Sequence, residues 1–183
     1  MNNIFSSNYA FQIGIFTALI VGGAERYRPA TLIATAVLIL FFPIVGAARA
    51  IPSKLPYAVR KIILYAVSAG LYIPVYFLLE RLFPTPTIAE VGIYLPLVAV
   101  AIPSAAERRE KVYDAFTAII GFCAITLVFG ALREYIAYGT IEEIRLISPI
   151  TSETAAETAG GFILFALCAA AFIPRKKEEQ NER

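Results

Sequence analysis

Six stretches of the chain are dominated by apolar side chains, and polar or charged residues separate each stretch from the next. A helix that crosses the hydrocarbon core of a bilayer, about 30 Å thick, needs roughly 20 apolar residues. Four of the stretches reach or approach that length, so the pattern predicts an all-α integral membrane protein with six transmembrane helices. The apolar runs are Tyr9–Gly23, Pro29–Ala48, Ile62–Leu79, Val91–Pro103, Val112–Leu132 and Thr154–Pro174.

The first and fourth runs are shorter than the others and contain helix-breaking residues. Gly22 and Gly23 close the first run, and Pro96 and Pro103 interrupt the fourth. Short segments that Gly or Pro interrupts at corresponding positions indicate discontinuous helices in an inverted-repeat membrane fold. The alternative is two ordinary short helices that cross with little tilt.

The two halves of the chain resemble each other in three places that occur in the same order. Because each copy would contain three spans, an odd number, the second copy must be inverted relative to the first, and the two short helices should meet near the midplane. We therefore predict one membrane domain over 1–183, with repeat 1 at about 8–82, repeat 2 at about 88–174 and a cytoplasmic tail at 175–183. Chance similarity between Gly/Ala/Ile-rich helices is the alternative. The matched pairs are Ile13–Phe16 with Val91–Tyr94, Ala24–Arg26 with Ala106–Arg108, and Val45–Arg49 with Phe129–Arg133.

Composition supports the membrane assignment and excludes several classes of function. Apolar residues make up 58% of the chain, charged residues make up 16%, and the mean hydropathy is +0.69. The 16 Lys and Arg residues against 14 Asp and Glu leave a charge of only +2, which argues against a nucleic-acid binder. The absence of His excludes a histidine-based triad, a His-ligated haem and a His-bearing zinc site.

The distribution of basic residues predicts the orientation in the membrane. If all six runs cross, 11 of the 16 Lys and Arg residues lie on one side and the other 5 on the opposite side. Because cytoplasmic loops carry the excess of Lys and Arg, both termini are expected in the cytoplasm. We expect a multi-pass protein of the cell inner (cytoplasmic) membrane.

Segments of the second half carry a resemblance to a known family. The segment Val91–Val100 precedes the charged loop Glu107–Lys111, and Gly130–Tyr135 leads into Tyr138–Ile141. In this order they resemble the paired membrane subunits of Rnf and Nqr complexes, the A and E subunits of Rnf and the D and E subunits of Nqr. In that family the last segment typically holds an Arg-Glu pair, a few residues, and then Gly-Thr. The resemblance extends over most of residues 8–174.

The sequence departs from this family at the residues that bind its cofactor. In the family, each short helix carries a cysteine, and two such subunits donate four thiolates to a [2Fe–2S] cluster within the membrane. The corresponding positions hold Phe16 and Ile102, whose hydrocarbon side chains cannot ligate iron. We expect no cofactor and no metal to be bound by this chain alone. The two cysteines of the chain, Cys123 and Cys168, lie among small and apolar residues and are interpreted as packing residues.

Few ionisable residues remain as candidates for function. Glu25 and Glu107 follow the two short runs at equivalent positions, each beside an Arg. They could line an ion path, form salt bridges across the pseudo-axis, or simply belong to charged loops. Backbone carbonyls near Gly22 and Gly23 and at 101–104 could form a cation site at the broken helices. Arg49 and Arg133 mark equivalent helix ends, where we expect interface anchors or C-terminal charges that complement the helix dipole.

Three functions stay open on these observations. The resemblance implies a membrane subunit of an Rnf/Nqr-type ion-translocating electron-transport complex, which shapes an ion path or acts as a scaffold and is at most a non-catalytic subunit. Its partners would be membrane lipid and other membrane subunits of a redox complex, or a homologous subunit of opposite orientation, and not nucleic acid. A stand-alone small transporter or channel with the same inverted-repeat fold is the first alternative, and a purely structural membrane protein is the second.

Overall fold

The computed structural model of the chain describes residues 14–52, 54–107, 112–142, 144–145 and 152–172. Within these ranges the protein is almost entirely helical. The tail predicted at 175–183 and the first part of the first apolar run lie outside the described residues.

The helices occupy most of each apolar run. Helix α1 is short and continues directly into one π-helical turn, and the helix pair α4 and α5 is separated by a three-residue turn. A two-stranded antiparallel hairpin follows α6, with Thr140 opposite Arg145 and Ile141 opposite Ile144. In chain order the elements are α1 (Gly14–Ala18), the π-helical turn (Leu19–Gly23), α2 (Tyr27–Ala50), α3 (Tyr57–Leu82), α4 (Thr85–Val91), α5 (Leu95–Glu107), α6 (Val112–Tyr138), β1 (Thr140–Ile141), β2 (Ile144–Arg145), a 3₁₀ turn (Glu153–Ala155) and α7 (Thr158–Phe172).

Three helices are long and apolar enough to cross a membrane, namely α2, α3 and most of α6. Helices α4 and α5 together are also long and apolar enough to cross, and the angle between them is 58°. The described residues therefore contain three candidate spans, or four with the bent pair. Helix α7 is apolar but shorter, and the first run is described only from Gly14.

Helix α2 lies at the centre of the molecule. It packs against α6, α5 and α3, and its buried residues form one continuous cluster with residues of the first and last described helices. Helix α3 lies at the periphery, since only 22% of its most apolar 18-residue stretch is buried within the chain. Its outward apolar side chains suit contact with lipid or with another membrane protein.

The second broken segment bends at a different place from the one that its prolines indicate. The turn lies at 92–94, whereas Pro96 and Pro103 both lie within α5. Proline is tolerated in the first turn of a helix, where its missing N–H would have no partner in any case, and this explains Pro96. Pro103 leaves one carbonyl free without ending the helix.

Candidate functional site

The two broken segments lie against each other. Tyr94, in the turn between α4 and α5, packs on the buried residues Gly22 and Gly23 at the end of the π-helical turn. A Cβ atom on Gly22 would overlap the Tyr94 ring, and it would lie 2.7 Å from Cζ and 2.9 Å from the hydroxyl oxygen. A side chain at this position would have to displace the Tyr94 ring, which is half-buried.

A buried cation lies at the first break. Arg133, on α6, is completely buried, and its Nη1 donates a hydrogen bond of 2.6 Å to the carbonyl oxygen of Val21. That carbonyl is in the last turn of a helix, where no amide of the same helix remains to bond it. The guanidinium also donates to the segment before α7, from Nε to Ala155 O at 2.9 Å and from Nη2 to Ala156 O at 2.7 Å and Glu157 O at 3.0 Å.

The structure corrects the interpretation of Arg133 as an interface anchor. Its apolar run ends at Leu132, but α6 continues to Tyr138, so the arginine lies within the helix and not at its end. Arg49, which the predicted repeat pairs with Arg133, lies in the last turn of α2 and is exposed, which suits an anchor or a charge that complements the helix dipole.

The neighbouring residue, Glu134, joins two other segments, and sequence reasoning missed this role. Its Oε2 accepts a hydrogen bond of 2.8 Å from the backbone N–H of Tyr27, the first residue of α2. Its Oε1 accepts one of 2.9 Å from the N–H of Glu142 in the hairpin turn. A carboxylate suits the start of a helix, where free amides and the dipole carry positive charge. The Arg-Glu pair at 133–134 was the signal that could have indicated these contacts.

The ends of α2 and α6 are also linked at the surface. Nη2 of Arg26 donates to the Tyr138 hydroxyl at 3.5 Å, and the guanidinium carbon lies 4.8 Å from the centre of that ring. This hydrogen bond raises the pKa of Arg26, although partial burial opposes the shift. Nε of Arg28 lies 4.0 Å from Oε1 of Glu142, an exposed ion pair of small energetic value.

The proline within α5, in the second broken segment, is compensated by a neutral partner. Ser68 of α3 is completely buried, and its hydroxyl donates a hydrogen bond of 2.6 Å to the carbonyl oxygen of Ala99 in α5. Ala99 precedes Pro103 by four residues, so its carbonyl has no amide to bond within the helix. The Ser68 hydroxyl therefore supplies the hydrogen bond that Pro103 removes.

The two predicted ion-path carboxylates are placed differently. Glu25 is exposed, and it follows the π-helical turn. It attracts the guanidinium of Arg133 electrostatically. Glu107 is the last residue of α5, and the placement of its side chain lies outside what the structure describes. No group of three or more His, Cys, Asp or Glu side chains that could hold a metal ion occurs among the described residues.

The residues at the expected cluster positions do not fit a cluster. Phe16 is 1% exposed and Ile102 is 0% exposed, and both belong to the continuous apolar core. The ring of Phe16 packs on Phe122, with the ring centres 4.8 Å apart. Neither side chain has a lone pair for iron, and both are packed among other hydrocarbon groups.

The two cysteines are unpaired and far from these positions in sequence. Cys123, on α6, is buried, and its Sγ lies 3.7 Å from the carbonyl oxygen of Ala34 on α2, while Cys168, on α7, is half-buried. Free cysteine in such a helix interface behaves as a small apolar residue with a weak S–H donor.

Comparison with known families matches residues 1–174 of the chain to the model of the Rnf-Nqr subunit, a membrane protein. The match covers nearly the whole chain of 183 residues. The chain belongs to the Rnf-Nqr subunit family. The Rnf-Nqr assignment confirms the resemblance found in the sequence and establishes a multi-pass membrane protein of this family. No curated protein matches the sequence of this Rnf-Nqr subunit.

Proposed function

We propose that this chain is a membrane subunit of an Rnf/Nqr-type ion-translocating electron-transport complex and that it has no iron–sulfur cluster of its own. Family membership supports a place in such a complex. Phe16 and Ile102 support the absence of a cluster, because they fill the two cysteine positions with buried hydrocarbon side chains. The buried hydrocarbon side chains at the two cysteine positions are the observation that carries the proposal.

The subunit would act as a scaffold that holds its neighbours in the membrane. Its breaks are packed by protein groups, with Tyr94 against Gly22 and Arg133 against Val21, which favours a structural role over electron transfer. Flavins and clusters would belong to the partner subunits, and a homologous subunit of opposite orientation is one candidate neighbour. Both termini would face the cytoplasm in the inner membrane.

The chain could also contribute to an ion path through Glu25 and Glu107. The exposure of Glu25 suits the mouth of such a path better than an interior site. Double substitution of Glu25→Gln and Glu107→Gln should lower sodium- or proton-coupled transport by the complex if the path uses these carboxylates. Unchanged flux would remove them as candidates.

Anaerobic affinity purification in a mild detergent, followed by mass spectrometry, tests the place in a complex. We expect membrane subunits that bind flavin and iron–sulfur clusters to co-purify. Recovery of the chain alone, as a colourless monomer or homodimer, would contradict the proposal and favour the stand-alone transporter.

Removal of both cysteines tests the absence of a cluster. The chain contains only two, so the Cys123→Ala/Cys168→Ala variant has no thiolate to offer. We expect the iron content of the purified complex and its [2Fe–2S] electron paramagnetic resonance signal to equal those of the wild type. A loss of iron in this variant would show that the chain does ligate a cluster.

A further inference from the structure

Four backbone carbonyl oxygens surround the guanidinium of Arg133, at donor–acceptor distances between 2.6 and 3.0 Å. One belongs to Val21 at the end of the π-helical turn, and three belong to consecutive residues at 155–157. Every hydrogen-bond acceptor that the structure describes for this guanidinium is a carbonyl and none is a carboxylate. Oxygen atoms of this type also coordinate hard monovalent cations in membrane proteins.

The guanidinium fills the space beside a glycine of the last described helix. Gly161 of α7 lies against it, and a Cβ atom there would approach the Arg133 Cζ to 2.9 Å and both terminal nitrogens to 3.1 Å. Val21, Gly22 and Gly23 are themselves buried. The positive charge is thus enclosed at the point where the first helix is broken.

Burial of a charge is costly unless polar groups compensate it. The four convergent carbonyls provide that compensation for the guanidinium, and the guanidinium provides the carbonyls with hydrogen-bond donors. Arg49, at the equivalent position of the other half, is exposed. Of these two arginines, only Arg133, beside the first break, is buried.

We propose that the Arg133 guanidinium is a tethered cation that occupies a four-carbonyl site at the first break, and that it closes this break to free monovalent cations. The carbonyls of Val21, Ala155, Ala156 and Glu157 form the site. Without the tethered group, the site would accept a free guanidinium-type cation, and the break would become permeable to sodium or potassium. This proposal does not depend on the presence of redox partners.

Chemical rescue tests the occupancy of the site. The Arg133→Ala variant lacks the atoms that ethylguanidinium contains, so the full-length variant is purified in detergent with and without this cation. We expect its thermal midpoint to fall by roughly 6–20 °C and millimolar ethylguanidinium to recover at least half of the fall. Arg49→Ala is the matched control and should change little with or without the ligand. Absence of recovery in the Arg133→Ala variant overturns the proposal.

Flux through reconstituted vesicles tests the closure. Wild type, Arg133→Lys and Arg49→Ala should be as tight to sodium and potassium as vesicles without protein. Arg133→Ala should leak at least tenfold faster, and ethylguanidinium should suppress the leak. Vesicles of the variant that are as tight as those of the wild type overturn the proposal.

Arg133→Gln separates charge from hydrogen bonding and replaces the Ala variant if that chain cannot be purified. Glutamine keeps two N–H donors but has no charge. We expect it to be less stable than Arg133→Lys and to leak. A glutamine variant as stable and as tight as the wild type overturns the proposal, because donors alone would then suffice.

Discussion

At the first broken segment a charged side chain bonds the free carbonyl of Val21, whereas at the second a hydroxyl bonds the free carbonyl of Ala99. The two situations differ in the number of acceptors. Pro103 frees one carbonyl, which one neutral donor satisfies. Val21 lies where three further carbonyls converge, and only a side chain with several donors in a fixed plane can bond them together.

The difference shows that the two broken segments are stabilised by side chains of different charge. The Ser68 hydroxyl on the second broken segment leaves the local charge unchanged, whereas the guanidinium at the first adds a positive charge within a candidate membrane span. Since a positive charge repels cations, the first break is the less suitable route for them. A break in a helix therefore does not by itself determine whether a charge lies beside it.

Among the variants below, we expect the largest loss of stability from a side chain that overlaps the Tyr94 ring at the first break. Gly22→Ala places a Cβ atom in the Tyr94 ring, so we expect a loss of about 2–3 kcal/mol in the free energy of unfolding. Gly70→Ala is the control, because Gly70 faces open space in α3 and alanine there should be neutral or stabilising. Thermal unfolding in detergent measures both, and equal stability of the two variants would contradict the contact.

A double substitution sharpens this test. Gly22→Ala combined with Tyr94→Ala should lose less than the sum of the two single losses, because removal of the ring also removes the overlap. Strict additivity would mean that Tyr94 and Gly22 do not contact each other in the protein.

Loss of the Glu134 carboxylate should have an intermediate effect. Glu134→Ala leaves the amides of Tyr27 and Glu142 without their acceptor, and we expect a loss of about 1–2 kcal/mol. Glu142→Ala is the control, because that side chain forms an exposed ion pair with Arg28 and should matter little. Hydrogen exchange should locate the loss at the first turn of α2; uniform loosening of the chain would argue against a capping role.

The hydrogen bond at Pro103 of α5 should show the smallest effect. Ser68→Ala removes one hydrogen bond within the membrane, which is worth about 0.6 kcal/mol on average. In a Pro103→Ala background the same substitution should cost less, since residue 103 then has an amide for the Ala99 carbonyl. The unfolding midpoints of the wild type, the two single variants and the double variant form a thermodynamic cycle. Equal costs of Ser68→Ala in both backgrounds would contradict the compensation of Pro103 by Ser68.

The long helices could be predicted from the sequence, but the partners at the breaks could not. Hydrophobic runs located α2, α3 and α6 because a bilayer requires long apolar segments. The same hydrophobic pattern ended the fifth run at Leu132, so Arg133 was interpreted as an interface anchor or a C-terminal charge at a helix end. Hydropathy assigns a cost to a charged residue but cannot show that distant carbonyls compensate it, and Val21 is 112 residues away.

The glycines and prolines at the breaks were informative to different degrees. Gly22 and Gly23 do end the first helical segment, and the Tyr94 ring packs against them. Pro96 and Pro103 predicted a break that lies instead at 92–94, because proline fits the first turn of a helix and Ser68 compensates it further along. Family membership was predictable from the order of short segments, which does not depend on these details.

The distance along the chain between Val21 and Arg133 also has a consequence for biosynthesis. Residue 133 emerges from the ribosome 112 residues after residue 21, which at about 5–20 residues per second is a delay on the order of 6–22 s. During this interval the first segment has neither its cation nor, at the start of α2, the carboxylate of Glu134. The nascent first half must therefore wait in the membrane in an incomplete state, where insertion factors or neighbouring subunits have time to act on it.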